Sequence, residues 1–138
     1  MPLHLLKLAV GVSDLDDLGR IQKQRRQERG RYGFFTRNMP KRIEELLDGG
    51  SIYWVIKGHI RVRQRLKRFH AMADEEGRSY VIVEFERKPI EVSPRPFRPF
   101  QGWRYLAHKD APPDRINRML GDDPPPEMAA ELRRLGLL

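Results

Sequence analysis

Ser51-Ile52-Tyr53-Trp54-Val55-Ile56-Lys57-Gly58-His59-Ile60-Arg61-Val62-Arg63-Gln64-Arg65-Leu66-Lys67-Arg68 is the stretch on which the fold turns. Its first half is rich in β-branched and aromatic residues, which favour a pleated strand. Gly58-His59 then links it to a second run. So short a link makes a hairpin, although one bent strand with Gly58 at a bulge satisfies the same residues. From Ile60 onward apolar and basic residues alternate. Successive strand side chains point to opposite faces, so the pattern predicts Ile60, Val62 and Leu66 in a core and Arg61, Arg63, Arg65 and Lys67 together on the other face.

Such a ladder of cations suits a phosphate backbone, because Arg offers planar donors to phosphate oxygens and each neutralised phosphate releases counterions. The same ladder also has a plainer reading. Lys and Arg on a strand prevent edge-to-edge association, and acids on the next strand neutralise them. Tyr80-Val81-Ile82-Val83-Glu84-Phe85-Glu86 supplies those acids, with Val81, Val83 and Phe85 on the core side and Glu84 and Glu86 opposite.

Working outward, Asp74-Glu75-Glu76-Gly77 is a turn that makes residues 79–86 an antiparallel neighbour of the basic strand. Pro89-Ile90-Glu91-Val92 opens another short strand. Toward the N-terminus, Met1 to Val10 reads as a first strand, and Ser13 caps a helix with Asp14, Asp16 and Asp17 in its first turn. Leu15, Leu18 and Ile21 are its apolar stripe, and Gly30 its C-terminal cap. Arg25, Arg26 and Arg29 read as a solvated helix face. A short strand at Gly33 to Arg37 and a helix capped by Asn38 or Met39, with Ile43, Leu46 and Leu47 buried, lead to Gly49-Gly50.

Residues 93–106 alternate prolines with aromatics and predict an extended strap crossing a surface, with Phe97 and Phe100 plugging the core. Gln101, Trp103, Arg104 and Tyr105 on that strap suit base stacking with phosphate contact. The expected organisation is one α+β domain over residues 1–109, with residues 110–138 a proline-rich appendage ending in a short helix at 127–135.

With 138 residues the chain can bury a core without disulfides or metal. It has no cysteine, which excludes thiol chemistry and Cys-ligated zinc or iron–sulfur centres. Its net charge is +8, and the basic groups concentrate in residues 20–42, 57–68 and 95–109, while the remainder is net acidic. If those segments converge, they make one positive field. No stretch approaches the roughly 20 apolar residues of a membrane span, so a cytoplasmic protein is expected. His4, His59, His70 and His108 are too far apart in sequence for a local metal motif. No serine sits in a nucleophile elbow, and Gly49-Gly50-Ser51 is too short for a phosphate loop.

Pro40-Lys41-Arg42, Glu45-Leu46-Leu47-Asp48-Gly49-Gly50-Ser51, Tyr53-Trp54-Val55-Ile56-Lys57-Gly58, Arg63-Gln64-Arg65 and Phe100-Gln101-Gly102-Trp103-Arg104-Tyr105-Leu106 resemble domain-of-unknown-function family fourteen eighty-nine, from about Met1 to Pro113. The resemblance implies a bacterial, alphaproteobacterial cytosolic origin and no activity. A weaker resemblance in element order, to the PUA-like small barrels, implies a curved, mostly antiparallel sheet or barrel flanked by two or three helices, and raises the expectation of RNA.

The function expected is nucleic-acid binding, RNA in particular. Arg61, Arg63, Arg65 and Lys67 would meet phosphates, Trp54 or Trp103 would stack a base, and Gln101 and Arg104 would assist. No cofactor and no catalytic residue is assigned. The alternatives are a module for an acidic protein partner, using the same surface, and a small enzyme if Asp48, His59 and Arg63 meet in a deep pocket.

Overall fold

Ser51–Ile56 and His59–Ala73 form a hairpin, and its turn is Lys57-Gly58 rather than Gly58-His59, since Ile56 pairs with His59. Lys57 (φ 49°) and Gly58 (φ 77°) both adopt the left-handed backbone that a tight two-residue hairpin turn requires. The computed structural model describes residues 2–115. In chain order these are β1 (Leu3–Leu8), α1 (Leu15–Arg29), β2 (Gly33–Thr36), α2 (Ile43–Leu47), β3 (Ser51–Ile56), β4 (His59–Ala73), β5 (Ser79–Phe85), β6 (Ile90–Pro96), β7 (Trp103–Ala107) and a 3₁₀ turn, His108–Asp110.

The strands make one sheet in the order β2-β5-β4-β3-β1-β7, with β6 beside the first part of β4. The pairings are antiparallel except that of β1 with β3, which the α1 crossover makes parallel. The sheet is open. Its outer strands β2 and β7 do not pair with each other, so the expected barrel is not formed.

Each face of the sheet carries its own core. Leu3, Leu5, Ile52, Trp54, Ile56, Val62, Leu66, Val83 and Phe85 meet Leu18 of α1 on one side, while Leu6, Tyr53, Val55, Ile60, Val92 and Leu106 pack under Phe97, Phe100 and Ala111 on the other. The strap therefore plugs the second core, as its phenylalanines predict. Two bulges in β4 change the expected alternation. Val55 pairs with Ile60 and Trp54 with Val62, so Arg61 is an extra residue, and Ile60 and Val62 enter opposite cores. Leu66 pairs with Phe85 and Arg68 with Glu84, which makes Lys67 a second extra residue.

The helices differ from expectation at their ends. Asp14 rather than Ser13 caps α1, its carboxylate accepting the Asp17 N–H at 2.8 Å, while Gly30 ends the helix at φ 79° as predicted. The second helix is only five residues long and begins after Arg42. Leu46 is fully buried, but Leu47 is exposed, so the expected apolar side shrinks largely to one residue. Beyond β7, Asp114 bridges to Val92, and the Ser93 N–H donates to the Pro113 carbonyl at 2.9 Å, which ties the start of the expected appendage to the body. The expected helix at 127–135 lies outside the described residues.

Candidate nucleic-acid interface

The bulges and the neighbouring acids break the cation ladder into separate environments. Arg61 turns its Nε toward the Ile56 carbonyl at 3.2 Å. Arg63 is held in a bidentate pair with Asp114, 2.6 and 2.7 Å, and also donates to the Ser51 hydroxyl at 2.9 Å. Only about a fifth of its side chain is exposed (21%), so its guanidinium is occupied structurally. Arg65 is exposed on the face it shares with Arg63. Lys67 lies 3.8 Å from Glu84, which Arg68 (3.7 Å) and His70 (2.8 Å) also approach. Neutralisation by the next strand is thus real for Lys67 and Arg68, and although burial raises the Glu84 carboxyl, the His70 hydrogen bond, followed by Lys67 and Arg68, holds it below its ordinary value.

The aromatic candidates divide as well. Trp54 is buried, and its indole N–H donates to Gln64 Oε1 at 2.8 Å, so it cannot stack a base. Gln64 in turn exchanges two hydrogen bonds with Gln22 of α1, at 2.7 and 2.8 Å. A glutamine inside the β4 alternation is thereby fully used in joining helix to sheet. Trp103 is part-buried against the first core, donates to the Asn38 carbonyl at 3.2 Å and meets Tyr105 edge-on. Gln101 is exposed, and the Arg104 guanidinium covers the Phe100 ring at 4.4 Å, on the strap side of the sheet. The strap's aromatics therefore brace the fold.

Two of the three basic segments do converge, at a place the strand pattern does not indicate. Lys23, Arg26 and Arg31, from α1 and the turn after it, face Lys67 of β4 and Arg87 beyond β5 around an open groove of about 610 Å³. Tyr32 lies in the same groove, with the Arg26 guanidinium 5.8 Å from its ring. Glu84 and Glu86 are the groove's acids. Lys23 and Arg26 are three residues apart and so share one helix face, which the sequence offers as a signal. Arg87 has no such signal, because it is positioned by the turn from β5 to β6. The third basic segment, with Arg95 bonded to the Asp110 carbonyl, stays with the strap.

The residues of the enzyme alternative do not meet. Asp48 is exposed at the end of α2, next to the start of β3, while His59 lies at the opposite end of that strand, beside the hairpin turn. A different polar cluster occupies the strap side. The Ser51 N–H donates to His4 Nδ1 at 3.0 Å, which leaves His4 Nε2–H to donate to His108 Nδ1 at 2.9 Å. Burial first, then His108 and Arg63, pushes His4 down to about 4, while burial raises the neighbouring Tyr53 phenol to about 12. Both are therefore neutral at neutral pH. Among the described residues no three His, Cys, Asp or Glu side chains gather as a metal set, and no helix is long and apolar enough to cross a membrane.

Residues 5–138 match the family described as Protein of unknown function (DUF1489), so the match runs past Pro113 to the last residue. Neither a curated protein nor a solved structure matches the chain.

Proposed function

The chain thus belongs to that family of unknown function, and from that premise we propose a nucleic-acid-binding module, RNA being the preferred ligand, whose groove lies between the end of α1 and the end of β5 beside Lys67 of β4. The observation that supports it is the convergence of Lys23, Arg26, Arg31, Lys67 and Arg87 around one open groove with an aromatic ring, Tyr32, inside it. Cations from three separate parts of the chain meet a backbone phosphate from both sides, while the ring offers a stacking surface. Of the residues first expected to bind, Lys67 lines the groove, with Glu84 offsetting part of its charge, and Arg65 is an outlying cation. The PUA-like resemblance adds nothing to it, since the sheet is open.

Fluorescence anisotropy of a labelled single-stranded RNA, a structured RNA and a duplex DNA across a salt series tests this. The variant Lys23→Ala/Arg26→Ala/Arg31→Ala is expected to lose roughly tenfold or more in RNA affinity and to flatten the logarithmic salt slope by about 2. Arg63→Ala should leave that affinity within about twofold, because Asp114 already holds the guanidinium, yet lower stability by about 2 kcal/mol in a urea melt by leaving Asp114 unpaired. No RNA binding by the wild type, or equal binding by the triple variant, would turn the reading toward an acidic protein partner.

A further inference from the structure

On the adjoining stripe of α1 a second cavity differs in kind from the groove. It measures about 200 Å³ and lies between the end of β1, α1 and β2. Phe34, Trp54 and Phe85 line it, with ring planes crossing edge-on at centroid separations of 6.0 and 5.8 Å. Three cations, Lys7, Arg25 and Arg29, also line it, and no carboxylate does.

Lys7 is the anomaly. Alternation along β1 puts it on the face of Leu3 and Leu5, both of which enter the first core, so an apolar residue is what that position calls for. Its Nζ instead lies 5.5 Å from the Phe34 ring centre, and no ion pair balances it among the described residues. Burial, with Arg25 adding to it, holds the Lys7 amine below its ordinary value, and the same two causes lower Arg29 against a smaller opposing pull from Glu28. Arg29 spends one N–H on the Gly33 carbonyl at 3.2 Å and lies 4.1 Å over Phe35, with the rest of its fork uncommitted. Half-buried Lys7 and Arg29, repelled by Arg25 and with Glu28 offsetting that only at Arg29, carry a standing cost, which an anion placed among them removes.

We propose that this cavity is a binding site for a small organic anion with a flat apolar body, the ring resting against the wall that Phe34, Trp54 and Phe85 form together and the phosphate or carboxylate resting among Lys7, Arg25 and Arg29. The volume is below the roughly 300 Å³ at which drug-sized pockets begin, which limits the body to one or two rings. A nucleoside monophosphate and a simple aryl phosphate share this chemistry. Tyr32 and Phe85 line both this cavity and the groove, but Lys7, Arg25 and Arg29 are not among the groove's residues, so the anion site is tested independently of the groove reading.

Titration calorimetry of the full chain with phenyl phosphate, 5′-AMP and inorganic phosphate decides it. An organic phosphate binding with a Kd of about 1 mM or lower, roughly tenfold or more ahead of inorganic phosphate, is the expected result. Binding of both organic phosphates assigns the site to nucleotides, and binding of phenyl phosphate alone assigns it to aryl anions. Lys7→Met, which keeps the stem and removes the buried charge, should abolish the heat without lowering the melting temperature, and Arg25→Gln, on the exposed helix face, should weaken it roughly tenfold. Inorganic phosphate binding as tightly as phenyl phosphate, unchanged affinity in both variants, or no heat from either organic phosphate would overturn the assignment.

Discussion

Gly50→Ala is expected to cost the domain more than about 4 kcal/mol, or to prevent folding altogether. A methyl group built on Gly50 falls on the carbonyl oxygens of Leu3 and Leu46, well inside the roughly 3.5 Å at which a carbon touches its neighbours. Both obstacles are backbone, so no side-chain rotamer relieves them. The same residue is fastened on two further sides, its N–H to the Leu46 carbonyl and its carbonyl to the Leu66 N–H, each at 3.0 Å. Moving it would open the contact of α2 with β1 and the end of the β3–β4 ladder together. Its neighbour makes the matching control. Gly49 sits at φ 84° with only Pro2 at 3.9 Å, so Gly49→Ala meets backbone strain alone and should cost about 1 to 2 kcal/mol. Circular-dichroism melts in urea separate the two, and a Gly50→Ala protein as stable as Gly49→Ala would contradict the packing.

Between pH 7 and pH 4 the protein is expected to lose up to about 3 kcal/mol of stability through His4 alone. The folded value of His4 is pushed down to about 4 from an ordinary 6.5, so above 6.5 both folded and unfolded chains carry it neutral and the full stability is present. As the pH falls below 6.5 the unfolded chain takes up a proton that the folded one refuses, and stability drains until the folded imidazole titrates near 4. Lowered carboxyls such as Glu84 lose their contribution only as pH falls through the carboxylate range, so most of the His4 window precedes theirs. His4→Asn keeps an acceptor for the Ser51 N–H and removes the titration. Urea midpoints measured from pH 7 to 4.5 should fall steeply in the wild type and stay nearly level in the variant; parallel slopes would contradict the buried neutral imidazole.

Much of the sheet was legible because its signals are local. The Val81-Val83-Phe85 alternation, the Asp74-to-Gly77 turn, the Gly30 cap and the Phe97 and Phe100 strap each depend on residues close in sequence, and each stands where expected. The register of β4 was not legible. Lys67 bulges where β4 takes β5 as a partner, Arg61 bulges between pairings with β3 and β6 that continue on both sides of it, and no residue of β4 announces either on its own. The bulge at Arg61 is enough to send Ile60 and Val62 to opposite cores, and with the one at Lys67 it leaves only Arg63 and Arg65 of the ladder in alternate register. The site suffered the same way. Asp114 neutralises Arg63 from 51 residues away, and His108 meets His4 across 104, so their pairing is a property of the fold. Trp54 showed its β-propensity but not its burial, since nothing local indicates that Gln64, the one polar residue on the core side of the β4 alternation, satisfies its N–H.

Amide chemical-shift mapping of the wild-type protein titrated with a single-stranded RNA tests the location of the interface most directly. The account predicts shifts concentrated at residues 23–32, 66–68 and 84–87, where the groove's cations and Tyr32 converge. Shifts running instead along Arg61 to Arg65 and across Gln101 to Arg104, or scattered without a focus, would contradict it.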